Sequence, residues 1–126
     1  MIEFSVQTPN EPGVLATLAR NLGSAGVNIV TLAAITIADE GYIKLVVDND
    51  AAARRVLVDA SVDYEERRII SAKLHDKPGA LADLTEALAA SGTNIEAMYL
   101  LSSSEDGLHF AISVDDSERL QAVGED

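Results

Sequence analysis

The motif Pro-Gly-x-Leu-Ala-x-Leu occurs twice, at Pro12–Leu18 and at Pro78–Leu84, and the match stays in step over most of the chain. It continues through Leu22 and Leu88, Gly26 and Gly92, and Asn28-Ile29 and Asn94-Ile95, then reaches Glu40-Gly41 and Asp106-Gly107 without a gap. Nine of the eighteen positions from 12 to 29 are identical to their counterparts. Unrelated segments would share roughly one or two, so the sequence repeats itself. A chain of 126 residues is therefore expected to be two small modules, 1–66 and 67–126, rather than one ordinary domain.

The periodicity of each copy indicates its elements. Glu3 to Thr8 alternates as a strand does. Asn10-Glu11-Pro12-Gly13 supplies a helix start, with Asn10 as the expected N-cap and Pro12 in the first turn. Val14, Leu15, Leu18, Leu22 and Ala25 form an apolar helical stripe whose leucines are expected in the core. Gly26 follows as the residue after the C-cap, where a left-handed backbone suits glycine. A strand from Asn28 to Ala38, a turn at Asp39-Glu40-Gly41 and a strand from Tyr42 to Val47 make a hairpin. Asp48 or Asp50 then caps a helix from Ala51 to Ala60, and Val62 to Glu65 is a short last strand. This order is βαββαβ, the ferredoxin-like layout of an antiparallel sheet with helices on one face.

The second copy repeats it with a strand at Arg67–Leu74, a helix at Gly79–Ser91 and hairpin strands at Asn94–Leu101 and Leu108–Val114. A final helix around Ser117–Val123 follows, capped by Asp115 or Asp116, and the last strand of this repeat is expected to be missing. The fold class is thus α+β, two ferredoxin-like modules with the second truncated.

Charge removes several functions. Nine Lys and Arg stand against 21 Asp and Glu, for a net charge of −12 divided as −6 in each half. Nucleic-acid affinity rests on cations neutralising phosphates, so it is disfavoured, as are anionic membrane surfaces. RNA-binding modules of the same element order also stack bases on aromatic residues, and only 4% of this sequence is aromatic. The start of the chain alternates as a strand and shows no signal peptide, which points to a soluble cytoplasmic protein. Three lysines against six arginines, with the acid excess, resemble proteins of salt-loving cells, whose acidic surfaces repel until salt screens them. Cysteine is absent, which excludes disulfides and thiolate chemistry. His75 and His109 lack metal-ligand spacing, and His75 is expected at a strand end in solvent. Glu65-Glu66-Arg67-Arg68 is read as a solvated junction between repeats. Catalysis has little support, and no cofactor is implied.

Both copies resemble the ACT domain, a βαββαβ module that binds amino acids and regulates metabolic enzymes. The residues that carry the resemblance are Asn10-Glu11-Pro12-Gly13-Val14-Leu15 with Gly26-Val27-Asn28-Ile29, and Asp76-Lys77-Pro78-Gly79-Ala80-Leu81 with Gly92-Thr93-Asn94-Ile95. The resemblance implies a ligand site at the loop, helix start and strand start of each copy, lying at an interface between modules. Its residues are Asn10, Glu11, Gly13, Val14, Leu15, Asn28 and Ile29, and then Asp76, Lys77, Gly79, Ala80, Leu81, Asn94 and Ile95. Some amino-acid-binding members carry a histidine two residues before the loop Asn, where this chain has Thr8 and Leu74. A helix N-terminus also offers unpaired N–H groups and positive partial charge, which suit a carboxylate. Gly13 and Gly79 let a ligand approach the backbone.

A plainer account serves the same residues. Asn10 and Asp76 are helix caps in any fold, and Asn28 and Asn94 tolerate turn geometry. The leading expectation is an amino-acid-binding regulatory protein, self-associating as a homodimer or larger assembly and acting alone or on a biosynthetic enzyme. The alternative is an oligomerisation module that binds no ligand.

Overall fold

The computed structural model describes residues 1–114, so the helix expected around Ser117–Val123 lies outside the described residues, with the end of the second repeat. The fold is α+β. The chain divides into two compact units, one over Ile2–Arg67 and one from Arg68 onward that also takes in Met1.

The first unit holds β1 (Ile2–Pro9), α1 (Val14–Ser24), β2 (Ile29–Ile37), β3 (Glu40–Val47) and α2 (Asp50–Asp59), and in it begins β4 (Asp63–Leu74). Strand β3 pairs antiparallel with both β2 and β1, leaving β2 at the edge. Alternation sends Phe4 and Val6 of β1 and Ile43, Leu45 and Val47 of β3 to one face. There they meet Leu18 and Leu22 of α1 and Ala53 and Leu57 of α2 in a single core. Phe4 also meets Tyr64 of β4, with ring centroids 6.1 Å apart. On the other face Glu3 is fully buried, its carboxylate 3.9 Å from Lys44 Nζ.

The second unit holds the end of β4, α3 (Ala80–Ala90), β5 (Ile95–Ser104) and β6 (Gly107–Val114). Strand β6 lies between β4 and β5, antiparallel to both. Ala72, Leu88, Ile112 and Val114 form its core, flanked by the half-buried Ile70, Leu84, Met98 and Phe110.

Several expectations move. The N-cap of α1 is Gly13, at φ 90° and with no side-chain cap bond, and not Asn10. A left-handed step at Gly13 prevents any residue before it from belonging to the helix. Gly79 repeats the same φ before α3. The hairpin turn sits at Ala38-Asp39, because Glu40 already pairs with Ile37 and Gly41 with Thr36. Asn49 caps α2 by accepting from the Ala52 N–H, while Asp48 accepts from the Asn28 N–H at 2.9 Å. The expected last strand of the first repeat and first strand of the second are one continuous strand, β4.

Glu65-Glu66-Arg67-Arg68 is the mostly exposed junction expected between the repeats, but it is strand rather than loop. Glu66 accepts two bonds from the Arg54 guanidinium, at 2.7 and 2.8 Å. That pair holds the Glu66 carboxyl below its ordinary range and the Arg54 guanidinium above its own, through the side-chain hydrogen bonds first. The glycines after the helices behave as expected, Gly26 at φ 77° and Gly92 at φ 76°. His75 is exposed just beyond β4. No helix among the described residues is long and apolar enough to cross a membrane.

Candidate functional site

The loop between β1 and α1 is built from short backbone bonds. The Glu11 N–H donates to the Pro9 carbonyl at 3.0 Å, and the Val14 N–H to the Glu11 carbonyl at 3.4 Å. The Thr17 N–H then donates to the Gly13 carbonyl at 2.9 Å, the first bond of the helix. One further bond ties the loop to the hairpin, from the Asn10 N–H to the Asp39 carbonyl at 3.0 Å. The opening amides of α1 have no intrahelical acceptor and face outward with partial positive charge.

Beside this turn lies a cavity of about 120 Å³. Thr8 and Pro9 end β1 on one side, Asn10 and Glu11 give the loop wall, and Val14 and Leu15 give the helix wall. The strand wall comes from Ala34, Ile35 and Thr36 of β2 and Gly41, Tyr42 and Ile43 of β3. With about 30 Å³ per water in the liquid, the space suits a ligand of a few heavy atoms. Apolar walls, a carboxylate, three hydroxyl-bearing side chains and free helix amides can together orient a small polar molecule.

Four of the expected residues, Asn10, Glu11, Val14 and Leu15, therefore meet at this cavity. Leu15 leaves the core to do so and is 38% exposed, contrary to the reading of every helix leucine as core. Gly13 lines a second cavity on the other flank of the helix. Asn28 and Ile29 are not at the site. Asn28 precedes β2 and Ile29 begins it, at the far end of α1, where the Asn28 N–H donates to the Asp48 carboxylate and the Asn28 carbonyl accepts from the Asp48 N–H.

Thr8, Ala34, Thr36, Gly41 and Tyr42 were missed. Thr8 faces Gly41 across the β1–β3 ladder, and a Cβ on Gly41 would come within 2.9 Å of the Thr8 hydroxyl. The hydroxyl thus sits where the facing residue has no side chain. That register follows from the two-residue turn at Ala38-Asp39, one residue earlier than the expected turn at Asp39-Glu40-Gly41.

The second copy reproduces the loop. The Lys77 N–H donates to the His75 carbonyl at 2.9 Å, the Ala80 N–H to Lys77 at 3.3 Å and the Asp83 N–H to Gly79 at 2.9 Å. Asp76, Lys77 and Gly79 are exposed, Ala80 is half-buried, and Leu81 is 50% exposed. Asn94 precedes β5 and Ile95 begins it, again at the other end of the helix. Leu74 stands where the first copy has Thr8. At φ 125° a Cβ on Gly107 would collide with the Leu74 carbonyl oxygen, so this position requires glycine. Among the described residues no three His, Asp or Glu side chains gather to hold a metal.

Residues 68–126 match the ACT domain family. No curated protein matches the chain. Among solved structures it is similar to a protein of Bacteroides thetaiotaomicron, 23% identical with a TM-score of 0.85, covering 97% of this chain and 84% of that one. It is also similar to the regulatory subunit of aspartate kinase from Thermus thermophilus in its ligand-free form, 18% identical with a TM-score of 0.72, over 98% and 87% of the two chains. The regulatory subunit of aspartate kinase from Thermus flavus is 19% identical with a TM-score of 0.59, over 98% and 90%.

Proposed function

We propose, from the premise that the second repeat is an ACT domain, that the protein is a regulatory protein that binds a small amino acid in the first repeat. The observation that carries this reading is the 120 Å³ cavity at the opening turn of α1. A ligand carboxylate takes the free helix amides. An α-ammonium takes the Glu11 carboxylate and the Asn10 side-chain oxygen, and a short side chain rests on Val14, Ala34 and Ile43. The regulated partner is an enzyme of amino-acid metabolism, biased through differential affinity of the ligand for two states of the assembly. Thermal-shift screening of the twenty proteinogenic amino acids, followed by calorimetry, tests the site. One or a few small ones should bind, and Asn10→Ala with Thr8→Val should weaken binding by about tenfold or more, since each lost bond is worth about 1 kcal/mol. Unchanged affinity in that double variant would remove the site.

A second reading, self-association without a ligand, draws on β2. This edge strand is Ile-Val-Thr-Leu-Ala-Ala-Ile-Thr-Ile, with no charge and no proline, and Val30, Leu32, Ile35 and Ile37 are exposed. Such an edge pairs readily with another strand. Antiparallel pairing of two copies sets the start of one β2 beside the end of the other. Asn28 of the second copy would then come to the Ala34–Thr36 wall, which unites the two readings. Leu32→Glu should give monomers by sedimentation. If it does so in a protein that answers to no amino acid, self-association alone is the function.

A further inference from the structure

A second cavity, of about 350 Å³, lies on the opposite flank of the same helix turn, between the start of α1 and the end of α2. Its floor is Val6 and Leu18, both members of the core of the first unit, and Val62 closes one side. Thr17 and Asn21 form its rim. The sequence explains the opening. Gly13, Thr17 and Asn21 recur every four residues and so lie along one line of α1. A helix line that packs against another helix ordinarily carries large apolar side chains. This line has none, and the facing residue at the end of α2 is Ala60, with only a methyl group.

Among the described residues no ionisable side chain lines the cavity, in a sequence of which 24% is charged. A charged guest would lose hydration against Val6 and Leu18 and find no counter-ion. An anion would in addition meet a chain of net charge −12. The volume lies in the range of small-molecule sites, which are mainly apolar with a few placed polar groups. We propose that this cavity binds an uncharged, mainly aliphatic small molecule with one hydroxyl or amide head. Its chain lies on Val6, Leu18 and Val62, and its head bonds Thr17 and Asn21 at the rim. The site is independent of the amino-acid reading, although Thr8 and Val14 line both cavities, so that filling one bears on the other.

The test is a titration of methyl-labelled protein with 1-octanol, against octanoate and octylammonium as charged counterparts. Octanol should give saturable shifts confined to the methyls of Val6, Val14, Leu18 and Val62, with both ions at least tenfold weaker. Ala60→Phe fills the mouth from an exposed position and should lower octanol affinity at least tenfold while other resonances stay in place. Should that variant fail to fold, Asn21→Trp closes the same mouth from α1. Shifts that do not saturate, octanoate binding as well as octanol, or full octanol affinity in the filled variant would each overturn the proposal.

Discussion

Leu22 and Leu88 hold the same place in their repeats and both are fully buried, but their surroundings differ. Around Leu22 the sheet contributes the buried Phe4, Val6, Ile43 and Leu45, and α2 closes the far side with Ala52, Ala53 and Leu57. Around Leu88 the matching sheet positions are smaller or only half-buried, Ile70 for Phe4 and Ala72 for Val6, and no counterpart of α2 is among the described residues. Leu18 is buried while its counterpart Leu84 is half-exposed. One pattern thus yields the same backbone in both copies, with more large buried side chains around the first among the described residues. The helix turn and its glycines are set locally, whereas burial depends on what is laid over them.

The sharpest way to break this comparison is to remove the two equivalent leucines. Leu22→Ala should cost about 3–4 kcal/mol in urea unfolding and Leu88→Ala about 2–3, because the first leaves a cavity among more large neighbours. Equal losses would mean that the second core is closed as fully as the first.

Next come the matched hairpin glycines. Gly107 has φ 125° and its Cβ would strike backbone, so Gly107→Ala should cost about 2 kcal/mol or more. A methyl on Gly41 meets a side-chain hydroxyl that can turn away, and Gly41→Ala should cost only about 1 kcal/mol. Thermal melts of the two variants side by side decide it. The reverse order would mean that the hairpin of the second repeat is the looser one.

The smallest expected effect is that of the Arg54–Glu66 pair, a feature of the first repeat. Because the folded-state pKa of Glu66 is lowered, its contribution is present above the unfolded value near 4.5 and is lost as pH falls through the folded value. Both side chains are open to solvent in part, so Arg54→Met should lower the melting temperature by only about a degree or two at neutral pH. The difference from the parent protein should vanish in acid below that window. A difference that persists there would assign the loss to packing of the Arg54 stem.

Much of the fold was legible because the repeat contains its own punctuation. Gly26 and Gly92 marked helix ends through the left-handed step that they alone take cheaply, and alternation marked the strands. The cap at Asn10 was misread because an Asn before a Pro-Gly pair looks like a helix start. The left-handed Gly13 delays the helix, which no propensity reveals. A third of the first site was legible, since Asn10, Glu11, Val14 and Leu15 are close in sequence at the start of one helix. Its strand wall was not, because Ala34, Thr36, Gly41 and Tyr42 reach it through pairing register, and one misplaced turn residue shifts every such partner.

The sequence by itself determined that a βαββ pattern occurs twice, where α2 and α3 begin and end within a residue or two, and that the chain is acidic. These are local or counting properties, fixed by chirality, periodicity and charge. The tertiary structure decided that β4 runs unbroken from one repeat into the next and that Asn28 stands a helix length from Asn10. It also decided that the first turn of α1 has a small polar cavity on one flank and a larger apolar one on the other. Cavities are what remains after distant segments have packed, so they depend on the fit of residues such as Gly13 and Ala60 that no linear spacing brings together.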